Sequence, residues 1–326
     1  MTDSSFLQLL RLLSDGQYHS GRELGESLAV SRTAVWKQLH KLDELGLLLE
    51  SNRGRGYRLP GGLELLDAES IEREAEWPGL SVTVEPVVDS TNARLMAVAA
   101  QSDNGALCLA EQQSAGRGRR GRPWVSPFGR NLYMSMLWQF DGGAGVLEGL
   151  SLAVGVCVAE SLESLGFSGV SLKWPNDILV EGEKLAGVLL EMTGDPAGVC
   201  QVVIGVGVNL SMPPDAAGKI DQPWVDLQQL AQRQGLSPVS RNQLAGKIAG
   251  ALARMLSSFA VEGFGRWREP WLARAAFLGE AVNLHTVSQV RQGRFAGVNG
   301  SGALLLDTDH GQEAVYGGEV SVRPVS

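Results

Sequence analysis

The sequence predicts an α+β protein of three units, at residues 1–62, 63–275 and 276–326. Three observations carry that prediction. Helical spacing dominates the first unit, strands and helices mix without regular alternation in the second, and only short strands between glycine-rich turns remain in the third.

In the first unit Phe6, Leu9, Leu10, Leu12 and Leu13 recur at helical spacing, and Asp15-Gly16 stops that helix. Ser20-Gly21-Arg22-Glu23 reads as a capping box opening a second helix that carries Leu24 and Leu28. Ala29-Val30 makes a short turn, and Ser31 caps a third helix from Arg32 to Leu45, ended by Gly46. Leu47–Glu50 and Tyr57–Leu59 are short strands on either side of a turn. Helix, helix, turn, helix and a two-stranded wing is the order of a winged helix-turn-helix, whose second motif helix enters a DNA major groove. Ser31, Arg32, Thr33 and Lys37 would then meet phosphates or base edges, and Arg53 and Arg55 at the wing tip a phosphate or a minor groove. Residues 1–60 sum to +1 and the remainder to −9. So small an excess calls for two copies on DNA, because phosphate contacts carry most of the affinity. The alternative is a winged helix kept for packing or protein contact.

Pro60-Gly61-Gly62 marks the boundary of the second unit. Its strands are expected near Val82–Val88, Leu107–Glu111, Leu132–Phe140, Val170–Trp174, Leu185–Thr193 and Val199–Leu210, and its helices at Asn92–Gln101, Leu147–Leu165 and Asn242–Phe259. That irregular order favours an antiparallel or mixed sheet over a doubly wound parallel one. The third unit has strands expected at Ala281–Thr286, Arg294–Val298, Leu304–Asp307, Ala314–Tyr316 and Val320–Val322, the pattern of a small β-barrel.

Composition narrows the class. Of 326 residues, 44 % are hydrophobic and 20 % charged, which suits packed globular domains. No transmembrane helix and no signal pattern is expected, so a cytoplasmic protein is. Cys108, Cys157 and Cys200 are far apart and odd in number, which argues against disulfides and zinc. The four His form no cluster, and a net charge of −8 argues against a protein that coats nucleic acid. Forty-one glycines ask where the backbone must approach something closely.

Four segments answer. In Gln113-Ser114-Ala115-Gly116-Arg117-Gly118-Arg119-Arg120-Gly121-Arg122-Pro123-Trp124, glycines bare the backbone N–H groups and guanidiniums offer forked donors to phosphate or carboxylate. It lies between two strands, as a mobile loop that orders over an active site would, and unlike a terminal basic tail. It lacks the Walker A and dinucleotide patterns. Lys173-Trp174-Pro175-Asn176-Asp177 followed by Lys184-Leu185-Ala186-Gly187 offers cations around Asp177, a candidate ligand for a divalent cation; its plainer reading is a hairpin. Gly205 and Gly207 share one face of a strand ending at Asn209, leaving room for a flat ligand. Asp89-Ser90-Thr91-Asn92 joins a strand to a helix and suits a small polar ring.

Together these segments, in this order and spacing, resemble the biotin protein ligases, and with the winged helix the bifunctional bacterial form of that family. The resemblance covers essentially the whole chain. It implies a central domain like the catalytic domains of class II aminoacyl-tRNA synthetases and a C-terminal SH3-like barrel. It implies a ligase that makes biotinyl-5′-AMP and pyrophosphate from biotin and Mg²⁺-ATP. Biotin then passes to a lysine of the biotin carboxyl carrier protein of acetyl-CoA carboxylase. The adenylate would also favour a homodimer that binds biotin operator DNA.

By the same resemblance, Ser90, Thr91 and Gln113 hold the ureido ring with Asn92 beside them, and Gly116, Gly187, Gly205 and Gly207 lie along biotin. Arg117, Gly118 and Arg119 close over the carboxyl end, and Lys184 holds the reacting carboxylate and phosphate. Lys173, Arg122, Asn176 and Asp177 handle triphosphate and Mg²⁺. Trp124, Asn209, Trp224 and Arg323 complete the nucleotide side, Trp224 by stacking on adenine. The loop before Trp224 departs from the family with Pro213-Pro214 and Ala216-Ala217-Gly218. Three rival readings remain: a lipoate ligase, a sensor that has lost catalysis, and a ligase without a regulatory role.

Overall fold

The structure, a computed structural model, describes residues 4–285, 290–316 and 321–324. The N-terminal unit comprises α1 (Ser4–Leu13), α2 (Gly21–Ser27), α3 (Arg32–Glu44) and a hairpin of β1 (Glu50–Asn52) and β2 (Gly56–Arg58). The capping box forms: Glu23 N–H donates to Ser20 Oγ, and Ser20 N–H donates to the Glu23 carboxylate. Ala34 N–H donates to Ser31 Oγ, so the start of α3 is fixed by its own cap. Val35, Gln38, Leu39 and Leu42 line the buried stripe of α3 and meet the leucines of α1 and α2. This core reaches past the expected boundary at residue 62. Leu63 joins it, and so does Phe128, which arrives from the end of the glycine–arginine segment.

The central unit begins with α4 (Ala68–Ala75), β3 (Ser81–Val88), α5 (Thr91–Met96), β4 (Ala106–Gln113), β5 (Leu132–Phe140) and α6 (Leu150–Ser164). It continues with β6 (Val170–Lys173), β7 (Asp177–Val180), β8 (Glu183–Gly194) and β9 (Cys200–Val208), then α7 (Pro214–Ala217), α8 (Leu227–Gln234), α9 (Arg241–Glu262) and α10 (Gly265–Leu272). Its seven strands form one mixed sheet in the order β3-β4-β5-β9-β8-β7-β6, parallel between β3 and β4 and antiparallel elsewhere. β6 and β7 form a hairpin across the turn at residues 174–176, as the hairpin reading of this segment expected, although β7 was not among the expected strands; α4, α7, α8 and α10 were not expected either. These are short, and α10 carries Pro270 inside it, which masks helical propensity.

Strand alternation sorts the two faces of this sheet. Met134, Met136, Trp138, Val202, Ile204, Val206 and Val208 turn to one face and share a core with α4, α6 and α9. Tyr133, Ser135 and Leu137 of β5 and Val203, Gly205 and Gly207 of β9 turn to the other, where α5 covers only part of the area. Two stretches, Ala144–Ser164 and Arg241–Glu262, are long and apolar enough to cross a membrane, contrary to expectation, but 61 % of each apolar window is buried. They form the helical layer under the sheet.

The C-terminal unit is a five-stranded antiparallel sheet in the order β13-β12-β11-β10-β14, formed by β10 (Ala281–His285), β11 (Val290–Val298), β12 (Leu304–Thr308), β13 (Gly311–Val315) and β14 (Ser321–Pro324). Expected strand ends at Thr286 and Val320 lie outside the described residues. This unit docks firmly: Trp174 Nε1 donates to the Gly302 carbonyl, and Trp271 meets Phe295 edge to face.

Candidate active site

The site is built on the thinly covered face of the sheet. Small residues make the floor. Gly205 and Gly207 alternate with Val206 on β9, with Ser135 opposite on β5. At the N-terminus of α5, Ser90, Thr91 and Asn92 are all buried. Thr91 N–H and Oγ1 donate to Gln113 Oε1 at 2.9 and 3.2 Å, and Gln113 Nε2 donates to Ser126 Oγ at 3.3 Å. Ser135 Oγ lies 2.7 Å from Thr91 Oγ1 and 2.6 Å from Asn92 Oδ1. Asn92 Nδ2 donates to Glu191 at 2.8 Å. Thr91, Asn92, Gln113, Ser126 and Ser135 thus all have side-chain partners, which fixes the rotamers of the nest. Ser126, Ser135 and Glu191 escaped sequence reasoning as functional residues. Ser135 alternates with leucine and methionine along an apolar strand, and only the sheet pairing shows which face it takes.

Gly205 and Gly207 were expected to leave room for a flat ligand and Gly187 to lie along it; in the structure, side chains of the protein itself approach all three closely. A methyl built on Gly205 would stand 2.4 Å from Asn92 Oδ1, and one on Gly207 would stand 2.6 Å from the Trp124 indole. One on Gly187 would stand 3.3 Å from the same ring. Trp124 is therefore seated on the β8–β9 floor, brought there by the return of the glycine–arginine segment, and its buried Nε1 has no hydrogen-bond partner. Trp124 was assigned to the nucleotide side; its seat is on the shared floor, with the Lys184 ammonium 5.5 Å from its ring centre.

The glycine–arginine segment spans the site. Arg117 reaches Glu191 at 3.4 Å, and Arg119 Nη1 donates to Asn176 Oδ1 at 3.2 Å. Arg120 Nη2 donates to the His285 carbonyl of the C-terminal unit. Gly118 N–H donates to the Arg122 carbonyl, closing a tight turn, while Gly116 packs against Ser126 and Trp124. Arg122 is exposed.

Cations collect at the β6–β7 turn. Lys184 Nζ lies 2.6 Å from Asp177 Oδ1, and Lys173 Nζ lies 4.0 Å from Asp177. Burial, together with the nearby charges of Lys184, Arg323 and Arg122, lowers the Lys173 ammonium pKa against the pull of Asp177. Burial likewise lowers that of Arg119. Arg323 of β14 therefore acts electrostatically on Lys173, across from the C-terminal unit. Asn176 is clamped to β8 by two hydrogen bonds with Val188. Asp177, expected as a metal ligand, is held by Lys184, and no cluster of three metal-ligating side chains occurs among the described residues.

The residues 211–224 return beside Lys184. Lys184 N–H donates to the Pro223 carbonyl and Val225 N–H to that of Lys184, so Trp224 pairs with Lys184 through the backbone. Asn209 is buried, and its Nδ2 donates to the carbonyls of Lys184 and Val225. It braces this return, so its side-chain nitrogen is not directed at open space.

On the N-terminal unit, Arg32, Thr33, Lys37, Arg53 and Arg55 are exposed on α3 and the wing, as expected. Ser31 is also exposed, but its oxygen serves as the helix cap. The Arg55 guanidinium stacks on Tyr18, 4.2 Å from the ring centre. Trp36, which the sequence reading passed over, is 54 % exposed on the same face.

Comparison with known proteins agrees with this geometry. Residues 84–209 match the Biotin/lipoate A/B protein ligase family, residues 6–58 an HTH domain, and residues 277–323 the Biotin protein ligase C terminal domain. The bifunctional ligase/repressor BirA of Salmonella typhimurium is 40 % identical over 317 residues, covering 97 % of each chain. The biotin–[acetyl-CoA-carboxylase] ligase of Paracoccus denitrificans is 37 % identical over 234 residues, covering 71 % of this chain and 96 % of that one. A biotin protein ligase from Aquifex aeolicus, solved with biotin and ATP, superposes with a TM-score of 0.64 at 27 % identity, covering 75 % of this chain and 99 % of that one. The chain belongs to the biotin protein ligase family, among its bifunctional ligase/repressor members.

Proposed function

We propose that this chain joins biotin to ATP, forming biotinyl-5′-AMP and releasing pyrophosphate. It then transfers the biotinyl group to a lysine of the biotin carboxyl carrier protein of acetyl-CoA carboxylase. The observation that carries this reading is one floor with two chemistries: a closed polar nest beside a knot of cations. Thr91, Gln113 and Ser126 offer a donor and acceptor pattern suited to a ureido ring, and Trp124 supports an apolar bicycle. Lys184, Lys173, Arg119 and Arg122 suit the carboxylate and the phosphates.

The chemistry then follows. The biotin carboxylate attacks the α-phosphorus in line, and the bond to pyrophosphate breaks. Negative charge grows on the phosphoryl oxygens, where Lys184 and the arginines are already fixed, so little reorganisation opposes the reaction. In the second step the carrier amine attacks the acyl carbon, AMP leaves, and the amine loses a proton. Mg²⁺ enters as the companion of ATP. Asp177 offers one carboxylate among cations, which fits an ion held mainly by phosphate oxygens. The arginine segment, tied to Glu191, Asn176 and His285, excludes water from the mixed anhydride.

The adenylate-bound chain acts in the cytoplasm as a homodimer on biotin operator DNA, through Arg32, Thr33, Lys37, Arg53 and Arg55, with Ser31 fixing the helix start. The test combines purified full chain, biotin, Mg²⁺-ATP and a carrier domain, followed by streptavidin detection. ATP-dependent labelling of one carrier lysine is expected, with lipoate a poor competitor. No labelling, or preference for lipoate, overturns the ligase reading; no ligand-dependent shift of operator DNA overturns the repressor reading.

A further inference from the structure

The outward face of α3 carries a residue that neither the helix fold nor phosphate binding requires. Val35, Gln38, Leu39 and Leu42 form the buried stripe; Thr33, Trp36, Lys37 and His40 form the opposite one, at the same i, i+3, i+4, i+7 spacing. Trp36 stands in this exposed stripe with 54 % of its surface in water. Tryptophan is a large apolar side chain and is usually well buried, so an exposed one on a helix already stabilised by its other face marks a contact surface. The indole is also held in place: its ring meets His40 edge to face, with centres 4.0 Å apart at 77°. That contact limits the ordering entropy lost on binding.

The surroundings point to one occupant. Arg32 and Lys37 flank Trp36 on α3, and the wing arginines Arg53 and Arg55 are exposed on the same unit. An apolar ring amid cations fits a surface with phosphates at its edges and apolar groups at its centre. The major groove of DNA has that make-up, and its apolar group is the thymine C5-methyl. We propose that Trp36 is a sequence-reading residue that packs on a thymine methyl in the operator, while Arg32 and Lys37 hold the backbone. This rests on the DNA-binding reading above and adds to it the base type and the residue that reads it.

The test uses the full-length protein with biotin and Mg²⁺-ATP to select duplexes from a random pool, for the wild type and for Trp36→Ala. The wild-type consensus should hold at least one thymine that becomes degenerate in the variant. Replacing that thymine by uracil, which removes only the methyl, should weaken wild-type binding about fourfold, the worth of one buried methyl group. It should leave Trp36→Ala unmoved, and Trp36→Phe should keep the thymine preference. Biotinylation of the carrier should be equal in all three proteins, showing that each is folded. An unchanged consensus and uracil response in Trp36→Ala overturns the proposal, as does a weakened dimer with unchanged consensus, which would assign Trp36 to a second copy. If the wild type selects no sequence, the DNA-binding reading itself falls.

Discussion

The two halves of the ligation site are built on opposite principles. In the half proposed to hold biotin, Thr91, Asn92, Gln113, Ser126 and Ser135 bond to one another, and this network fixes their rotamers. In the half proposed to hold the nucleotide, Lys173, Lys184 and Arg119 are crowded around Asp177 and Asn176, and like charges oppose one another. A neutral ring is recognised by preset hydrogen bonds. A highly charged triphosphate is recognised by cations that its arrival relieves of mutual repulsion.

The largest expected effect comes from breaking the second half alone. Lys184→Ala should slow adenylate formation by about 10²–10³-fold, the usual cost of one fixed charge-stabilising donor. Biotin affinity by calorimetry should move less than tenfold, because Lys184 makes no bond to the nest. Normal ATP–pyrophosphate exchange in this variant would remove Lys184 from the chemistry.

Breaking the first half needs only a methyl group. In Gly205→Ala the added carbon would stand 2.4 Å from Asn92 Oδ1, so Asn92 must leave Ser135 and Glu191. A loss of about 1–3 kcal/mol in stability is expected from this overpacking, with a matching loss of biotin affinity. Denaturant melts and biotin titration check both, and unaltered biotin binding would mean that the nest is not preset. The KM for ATP should change least.

The smallest effect sharpens the contrast through pH. Lys173 titrates below the ordinary lysine range of about 10.4, chiefly because it is buried. Its charged form, the one suited to phosphate, is lost as pH rises through that lowered value. ATP affinity should therefore fall at alkaline pH while biotin affinity stays flat, and Lys173→Arg should move the fall to higher pH. Parallel titrations of both ligands would show it, and equal pH dependence for the two would refute it.

Much of this was legible from residue types. The capping box at Ser20 and Glu23, the leucine spacing of α1 and the arginine–glycine alternation each have a local cause, and each formed where expected. Strand β7 was legible only as the far arm of a hairpin after the Pro175-Asn176 turn; Asp177–Val180 become a strand by pairing with both β6 and β8. The missed Ser135, Ser126 and Glu191 are ordinary polar residues whose value comes from neighbours far along the chain.

The boundary between the two kinds of knowledge runs through the glycines. Sequence alone determined that the chain has a winged helix, a mixed α+β centre and a β-rich end, and that backbone must be approached closely at residues 187, 205 and 207. What approaches it was decided by tertiary structure. The register of β8 against β9 and the return of residues 114–128 bring Asn92 to Gly205 and Trp124 to Gly207, and deliver Phe128 into the core of the winged helix. Local propensity acts over a few residues, whereas these contacts join residues tens of positions apart, and only the packed sheet sets their distance.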